Sequence, residues 1–208
     1  MLAHPVNRAV AELRRRVGEQ QTPAAYCGRM SLNHRNYTKA VYGFDHVMRG
    51  VNDSTWGNAS PCEGWTARDV VLHAAGVLRY VESLARGAAV VPPGDEPRSA
   101  WAGARDAVLE ALDQPGALER VVPSPFGEMP LDVLVGILVT DTLTHSWDLA
   151  RAVGGDERLA PELVTAVFEQ VRPLDDGLRA PGRFDAKIPA AAGDDEQTSL
   201  LKFLGRRV

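Results

Sequence analysis

Cysteine is scarce in this 208-residue chain, with Cys27 and Cys62 alone, so neither a disulfide framework nor a cysteine-rich zinc site can be built from it. No apolar run approaches the ~18–20 residues that a membrane-spanning helix requires. Arg14, Arg15 and Arg16 interrupt the only apolar stretch near the start, which argues against a secretory leader. Charge of one sign is missing too. The net charge of −4 is well mixed along the chain, and a pI near 5.7 excludes a dedicated nucleic-acid binder. Strand-type alternation is nearly absent, as are repeats and low-complexity tracts. What remains is the profile of a cytoplasmic, globular protein of a size that suits a cofactor site.

Helical periodicity dominates instead. Residues 1–29 read as an N-terminal extension, with Val6, Val10, Leu13 and Val17 spaced for a weakly docked helix over Val6–Gln20. Residues 30–208 read as the main body. Its first helix is expected from Ser31 or Asn33 to Val51 or Asn52, along the stripe Tyr37, Val41, Phe44, Met48 and Val51. Thr66 and Asp69 form a capping-box pattern that opens a second helix over Ala67–Arg86, with Val70, Val77, Tyr80, Val81 and Leu84 on one face. The proline-rich stretch Gly87–Pro97 predicts a long crossover. A third helix follows over Arg98–Leu112, then an extended or hairpin-like stretch over Val121–Met129. The fourth helix, placed at Pro130 to Val153, is apolar nearly all round and should be the most buried element. Pro161–Val171 and Asp194–Leu204 are expected as short C-terminal helices around a loop at Gly177–Gly193. The fold class is therefore all-α, a four-helix bundle with one long crossover.

Polar residues in the most buried helix are the informative anomaly. Positions 134, 138, 141, 145, 148 and 152 trace one seam, which carries Asp141, His145 and Asp148. A lone buried carboxylate is costly unless paired or bound to a cation. His73 shares a face of the second helix with Val70, Val77 and Tyr80, and Asp69 one turn earlier is placed to orient its second nitrogen. His4, His34 and His46 look outward or terminal by the same test. An Asp-x-x-x-His pair on one helix plus a histidine from its neighbour supplies three ligands for a divalent ion and leaves a position open. Hydrogen-bonded core histidines and an Asp148–Arg151 ion pair would account for much of the same pattern. A two-histidine-one-carboxylate iron oxygenase fits the ligand types, although its usual strand context is missing. Cys62, Trp65 and Trp147 read as packing residues. Arg79 and Arg151 read as solvated or ion-paired side chains that would be available to anchor a carboxylate.

The stretch Ser60-Pro61-Cys62-Glu63-Gly64-Trp65-Thr66-Ala67-Arg68-Asp69-Val70-Val71-Leu72-His73 resembles the loop and second helix of the mycothiol-dependent maleylpyruvate isomerase metal-binding domain, within the DinB-like superfamily. Thr140 to Ala152 resembles its fourth helix, and Pro125 to Pro130 and Ala180 to Phe184 resemble actinobacterial single-domain members. The resemblance implies a DinB-like bundle with a metal held by His73, Asp141 and His145. Zinc is the first expectation for that metal, and nickel, cobalt, manganese and iron suit the same donors. It further implies a mycothiol-type thiol as cofactor, a small electrophile as substrate and pairing into a homodimer, with neither nucleic acid nor membrane as partner. A metal-activated thiolate would add to the electrophile and leave after bond rotation, giving isomerisation, or expel a leaving group, giving S-transfer. A non-catalytic metal or small-molecule binder with the same three ligands is the alternative. There are two departures from the isomerase pattern. The isomerase has glutamate where this chain has Asp141, so the helices must approach more closely or a water must intervene. It also carries a second, C-terminal domain, for which too few residues remain.

Overall fold

In the computed structural model, residues 30–125, 127–174 and 184–208, together with Arg15, are described. Apart from Arg15, the helix expected over Val6–Gln20 lies outside them, as do Cys27 and most of the Ala180–Phe184 motif. The chain divides into two compact units, one of residues 33–158 and one that includes residues 159–208.

The first unit holds four helices: α1 (Leu32–Gly50), α2 (Ala67–Arg86), α3 (Pro97–Leu112) and α4 (Leu131–Val153). The all-α expectation is met. The only sheet among the described residues is a two-stranded hairpin, β1 (Val121–Val122) with β2 (Met129–Pro130), which delivers the chain to α4. No helix of the described residues is long and apolar enough to cross a membrane. Pro130 takes the N-cap position of α4 rather than its first turn, because it is still paired with Val121 in the hairpin.

Amphipathic stripes set the packing. Tyr37, Val41, Phe44, Met48 and Val51 are all buried, as are Trp101, Ala104, Val108 and Leu112 of α3. The Phe44 and Trp101 rings stack at 4.2 Å and join α1 to α3. On α2 the buried face runs through Val70, Val71, Ala74, Ala75, Leu78 and Val81. Val77, Tyr80 and Leu84 sit at its margin instead of its centre, half-buried, because small alanines allow α2 to pack tightly on α3 and α4. Almost every residue of α4 is buried, as its composition predicts.

Two buried ionisable side chains on α1, His34 and Asp45, escaped the periodicity. His34 is enclosed, 3.8 Å from Asp113, so three histidines rather than two face the interior of this unit. Burial pushes its imidazole below the ordinary value, against the pull of Asp113 and Asp132. Asp45 is buried as well, and accepts hydrogen bonds from Trp101 Nε1 at 3.1 Å, from Arg49 Nη2 at 2.7 Å and from Arg105.

The described part of the second unit contains α5 (Pro161–Val171) and α6 (Glu196–Phe203), tied together by Phe168 against Phe203 and by Thr165 Oγ1 donating to Glu196 at 2.6 Å. Asp195 caps α6 by accepting from Thr198 N. Gly205 closes the helix at φ +84°, where a Cβ would meet Asp185 at 2.7 Å, so a larger residue fits neither the backbone nor the space.

Candidate metal centre

The site is assembled by the start of α2, the loop before it and the middle of α4. The capping box forms as its residue pattern predicts. Thr66 Oγ1 accepts from Asp69 N, while Asp69 Oδ2 accepts from Thr66 N at 2.9 Å and from Thr66 Oγ1 at 2.6 Å. That engagement removes Asp69 from the role expected of it. Its carboxylate fastens the helix end and does not orient His73. The loop is held by Ser60 N to Trp65 O and Trp65 N to Cys62 O, and Asn58 Nδ2 donates to the Ala152 carbonyl at 2.9 Å. This last bond satisfies a carbonyl at the end of α4 and seats Cys62 and Trp65 against that helix.

His73, Asp141 and His145 come together. His73 Nε2 and His145 Nε2 lie 3.5 Å and 3.6 Å from the same oxygen, Asp141 Oδ1. The two imidazoles meet edge to face with centroids 4.8 Å apart, and the Trp65 ring lies 5.0 Å from His73 and 5.8 Å from His145. The short aspartate side chain therefore reaches both imidazoles without an intermediary. His73 and Asp141 keep 35% and 29% of their side-chain surface exposed, against 10% for His145 and none for Asp148. The cluster is thus open on the His73–Asp141 side and closed behind His145.

Behind it stands Asp148. His145 Nδ1 donates to Asp148 Oδ2 at 2.9 Å, and the Cys62 thiol donates to the same oxygen at 3.2 Å, with Cys62 Sγ 3.9 Å from His145 Nδ1. The ion pair considered between Asp148 and Arg151 does not form. Arg151 pairs with Glu157 at 3.3 Å and lies over Trp147, and Arg79 pairs with Glu82 at 2.8 Å. Cys62, set aside as a packing residue, is instead part of this polar cluster. Its place depends on the folded loop, which no local spacing in the sequence reports.

Among the described residues, two sets of donors have the spacing of metal ligands: His73, Asp141 and His145, and Cys62, His145 and Asp148. Hydrogen bonding separates them. The second set is satisfied internally, since Asp148 accepts from both neighbours at normal distances. In the first set, separations of 3.5–3.6 Å are too long for good hydrogen bonds. They lie just above the ~3.3–3.4 Å edges of a tetrahedron of donors about 2.0–2.1 Å from one ion, so a small inward movement of the side chains would close on one. Asp141 Oδ2 is buried with no hydrogen-bond partner, the mark of a carboxylate awaiting one. The charges agree. Burial disfavours a charged His145, yet Asp141 and then the Asp148 and Cys62 hydrogen bonds outweigh it and lift the imidazole to about 10. Burial likewise pushes the Asp141 carboxyl up, but the two imidazoles hold it below its ordinary value. The pocket favours positive charge, and the first set fits a divalent cation.

Fold and site together define an all-α domain with two histidines and a carboxylate gathered between two helices. The model of the mycothiol maleylpyruvate isomerase N-terminal domain family matches residues 38–150, more than half of the chain, and the chain belongs to that family. Two curated relatives, the uncharacterized proteins MT0763 and Rv0738 of Mycobacterium tuberculosis (strains CDC 1551 / Oshkosh and ATCC 25618 / H37Rv), are each 32% identical over 176 residues, covering 83% of this chain and 96% of theirs. No solved structure matches the chain.

Proposed function

We propose that His73, Asp141 and His145 hold one divalent cation, zinc first among the candidates, and that the chain uses it to activate a low-molecular-weight thiol of the mycothiol type. The reaction would be S-transfer to, or isomerisation of, a small electrophile. One observation carries the reading: two imidazole nitrogens 3.5 Å and 3.6 Å from one oxygen of a carboxylate whose second oxygen is buried and unpartnered. Family membership supports the thiol. When bound, the cation supplies Lewis acidity that lowers a coordinated thiol's pKa from about 8.5. The protein residues do the rest. Asp148 accepts the Nδ1–H hydrogen bond of His145 and so directs Nε2 towards the site. Trp65 covers the imidazoles on one side, and the exposed edges of His73 and Asp141 leave room for thiol and electrophile to enter from the other.

The test is turnover. Zinc-loaded protein, given a low-molecular-weight thiol and a panel of small electrophiles such as activated alkyl halides and maleyl-type acids, should convert an electrophile faster than zinc alone, with thiol consumed in S-transfer and returned in isomerisation. Asp141→Ala should remove that excess. Stoichiometric zinc with neither thiol consumed nor any electrophile isomerised across the panel would make this a non-catalytic binder and overturn the catalytic part.

Asp148 gives a quantitative check on the same reading. Asp148→Asn retains volume but offers His145 a neutral acceptor. Zinc affinity should fall about 10–100-fold, as is usual for a lost outer carboxylate. A titration against a chromophoric chelator measures it, and an unchanged affinity would remove Asp148 from the centre.

A further inference from the structure

Gly76 stands in the middle of α2, where glycine is the weakest helix former apart from proline. Its backbone is ordinary helix and does not require glycine. The residue is half-buried, yet a Cβ built on it would meet nothing within 4 Å among the described residues. This notch opens one turn after His73, on the same side of the helix.

Apolar side chains border it. Three contacts show that α2 and α4 run antiparallel beside each other. Cys62, just before α2, lies 3.2 Å from Asp148, and His73 lies 3.5 Å from Asp141. Further along α2, the Tyr80 hydroxyl donates at 3.0 Å to the Pro123 carbonyl, in the hairpin that leads into α4. In that register Val77, one turn after His73, and Leu138, one turn before Asp141, stand at one level, and both are half-buried. Because Pro123 holds the Tyr80 hydroxyl, the ring and not the polar end borders the notch.

Charge points the same way. Every cation of α2 and α4 is engaged elsewhere. Arg68 donates to the Asp95 carbonyl at 2.7 Å, Arg86 pairs with Glu82 and Glu110, and Arg151 pairs with Glu157. Arg79 pairs with Glu82 and reaches α3, where a Cβ on Gly103 would stand 3.2 Å from its Nη2. The carboxylate that these helices present at the open flank is Asp141 itself. An anionic guest thus meets no cationic side chain of α2 or α4 there, whereas an apolar one meets apolar walls.

We propose that the notch at Gly76, bordered by Val77, Tyr80 and Leu138, seats the uncharged apolar body of the electrophile, so that neutral alkyl and aryl electrophiles are taken in preference to carboxylates. The inference rests on the thiol-activating reading above for its chemistry, but the seat itself is testable without metal or turnover.

Benzyl bromide and its para-carboxylate analogue share one reacting carbon. With mycothiol and zinc-loaded protein, an S–C bond forms, the C–Br bond breaks, bromide leaves and the thiol proton passes to buffer. kcat/KM should be at least about tenfold higher for benzyl bromide, and equal or reversed values would overturn the proposal. Gly76→Leu fills the notch and should cut the preference for benzyl bromide over methyl iodide at least about tenfold. Gly76→Ala should raise the melting temperature by about 2–4 °C. An unchanged preference in the first variant, or a lowered melting temperature in the second, would overturn the assignment of Gly76. In metal-free, isotope-labelled protein, benzyl alcohol should shift the Gly76 and Val77 amide signals saturably, and succinate should not. No saturable shift with benzyl alcohol, or an equal one with succinate, would overturn the seat whether or not any substrate turns over. A saturable shift in a protein that converts no electrophile would uphold the seat and remove the catalytic reading alone.

Discussion

His145→Ala is expected to weaken zinc binding by more than about 100-fold, beyond the 10–100-fold that loss of an outer contact produces. His145 is singular among the site residues because both of its nitrogens are committed. Nε2 lies 3.6 Å from Asp141 Oδ1 and Nδ1 lies 2.9 Å from Asp148 Oδ2. Removing the ring deletes one donor and takes a hydrogen-bond donor from the fully buried Asp148, which keeps its bond from the Cys62 thiol. Chelator competition on the purified variant measures the loss. Affinity equal to that of the unsubstituted protein would take His145 out of the ligand set.

The second large effect concerns stability and lies away from the site. Asp45→Ala should destabilise the protein by about 3–5 kcal/mol, the usual cost of breaking a buried ion pair from one side. For a chain of this size that corresponds to a melting temperature lower by roughly 10 °C. Asp45 is the common acceptor for Trp101 of α3, for Arg49 one turn along α1 and for Arg105 of α3. Its loss strands a buried indole N–H and leaves the mostly buried Arg105 guanidinium with the exposed Asp106 as its remaining carboxylate. The sign of the pH dependence follows from the carboxyl's environment. Burial pushes it up, but the bonds from Trp101, Arg105 and Arg49 outweigh burial and hold it below the usual carboxylate range. A carboxylate with a depressed folded-state pKa stabilises the protein above its unfolded value, near 4, and that stabilisation is lost as pH falls through the lower folded value. The gap between the unsubstituted protein and Asp45→Ala should therefore be full at pH 7 and shrink below about pH 4. Thermal melts across that range check it, and a constant gap would contradict the assignment.

Asp45 also shows where reading from periodicity stops. The apolar stripe of α1 was legible because Tyr37, Val41, Phe44 and Met48 recur at helical spacing, and all four are buried. Asp45 lies beside that stripe, and its burial depends on Trp101 and Arg105, more than 50 positions away. His34 was missed for the same reason, since the charges that act on it, Asp113 and Asp132, come from other segments. Within the site, the seam of α4 exposed Asp141, His145 and Asp148 together, and the capping box set the start of α2 correctly. The partner of each group was not legible. Asp69 stands one turn before His73, a plausible orienting pair on a helical net, but an N-cap threonine three residues away is a nearer partner. Asp148 sits one turn after His145 and takes that role on the other imidazole. Cys62 comes within 3.2 Å of Asp148 only because a loop of particular conformation folds back on α4.

As a proposed cation seat, the arrangement has an ordered backing. Asp148 orients His145 from behind, and the Trp65 ring lies beside both imidazoles. The open flank lies at His73 and Asp141, where a thiol sulfur would have to enter.

X-ray absorption at the zinc edge of zinc-loaded, thiol-free protein tests the central claim most directly. With His73, Asp141 and His145 as donors, the first shell contains only nitrogen and oxygen at about 2.0–2.1 Å, with the outer scattering of two imidazoles. A sulfur at about 2.3 Å would seat the ion on Cys62, His145 and Asp148 instead and contradict the account.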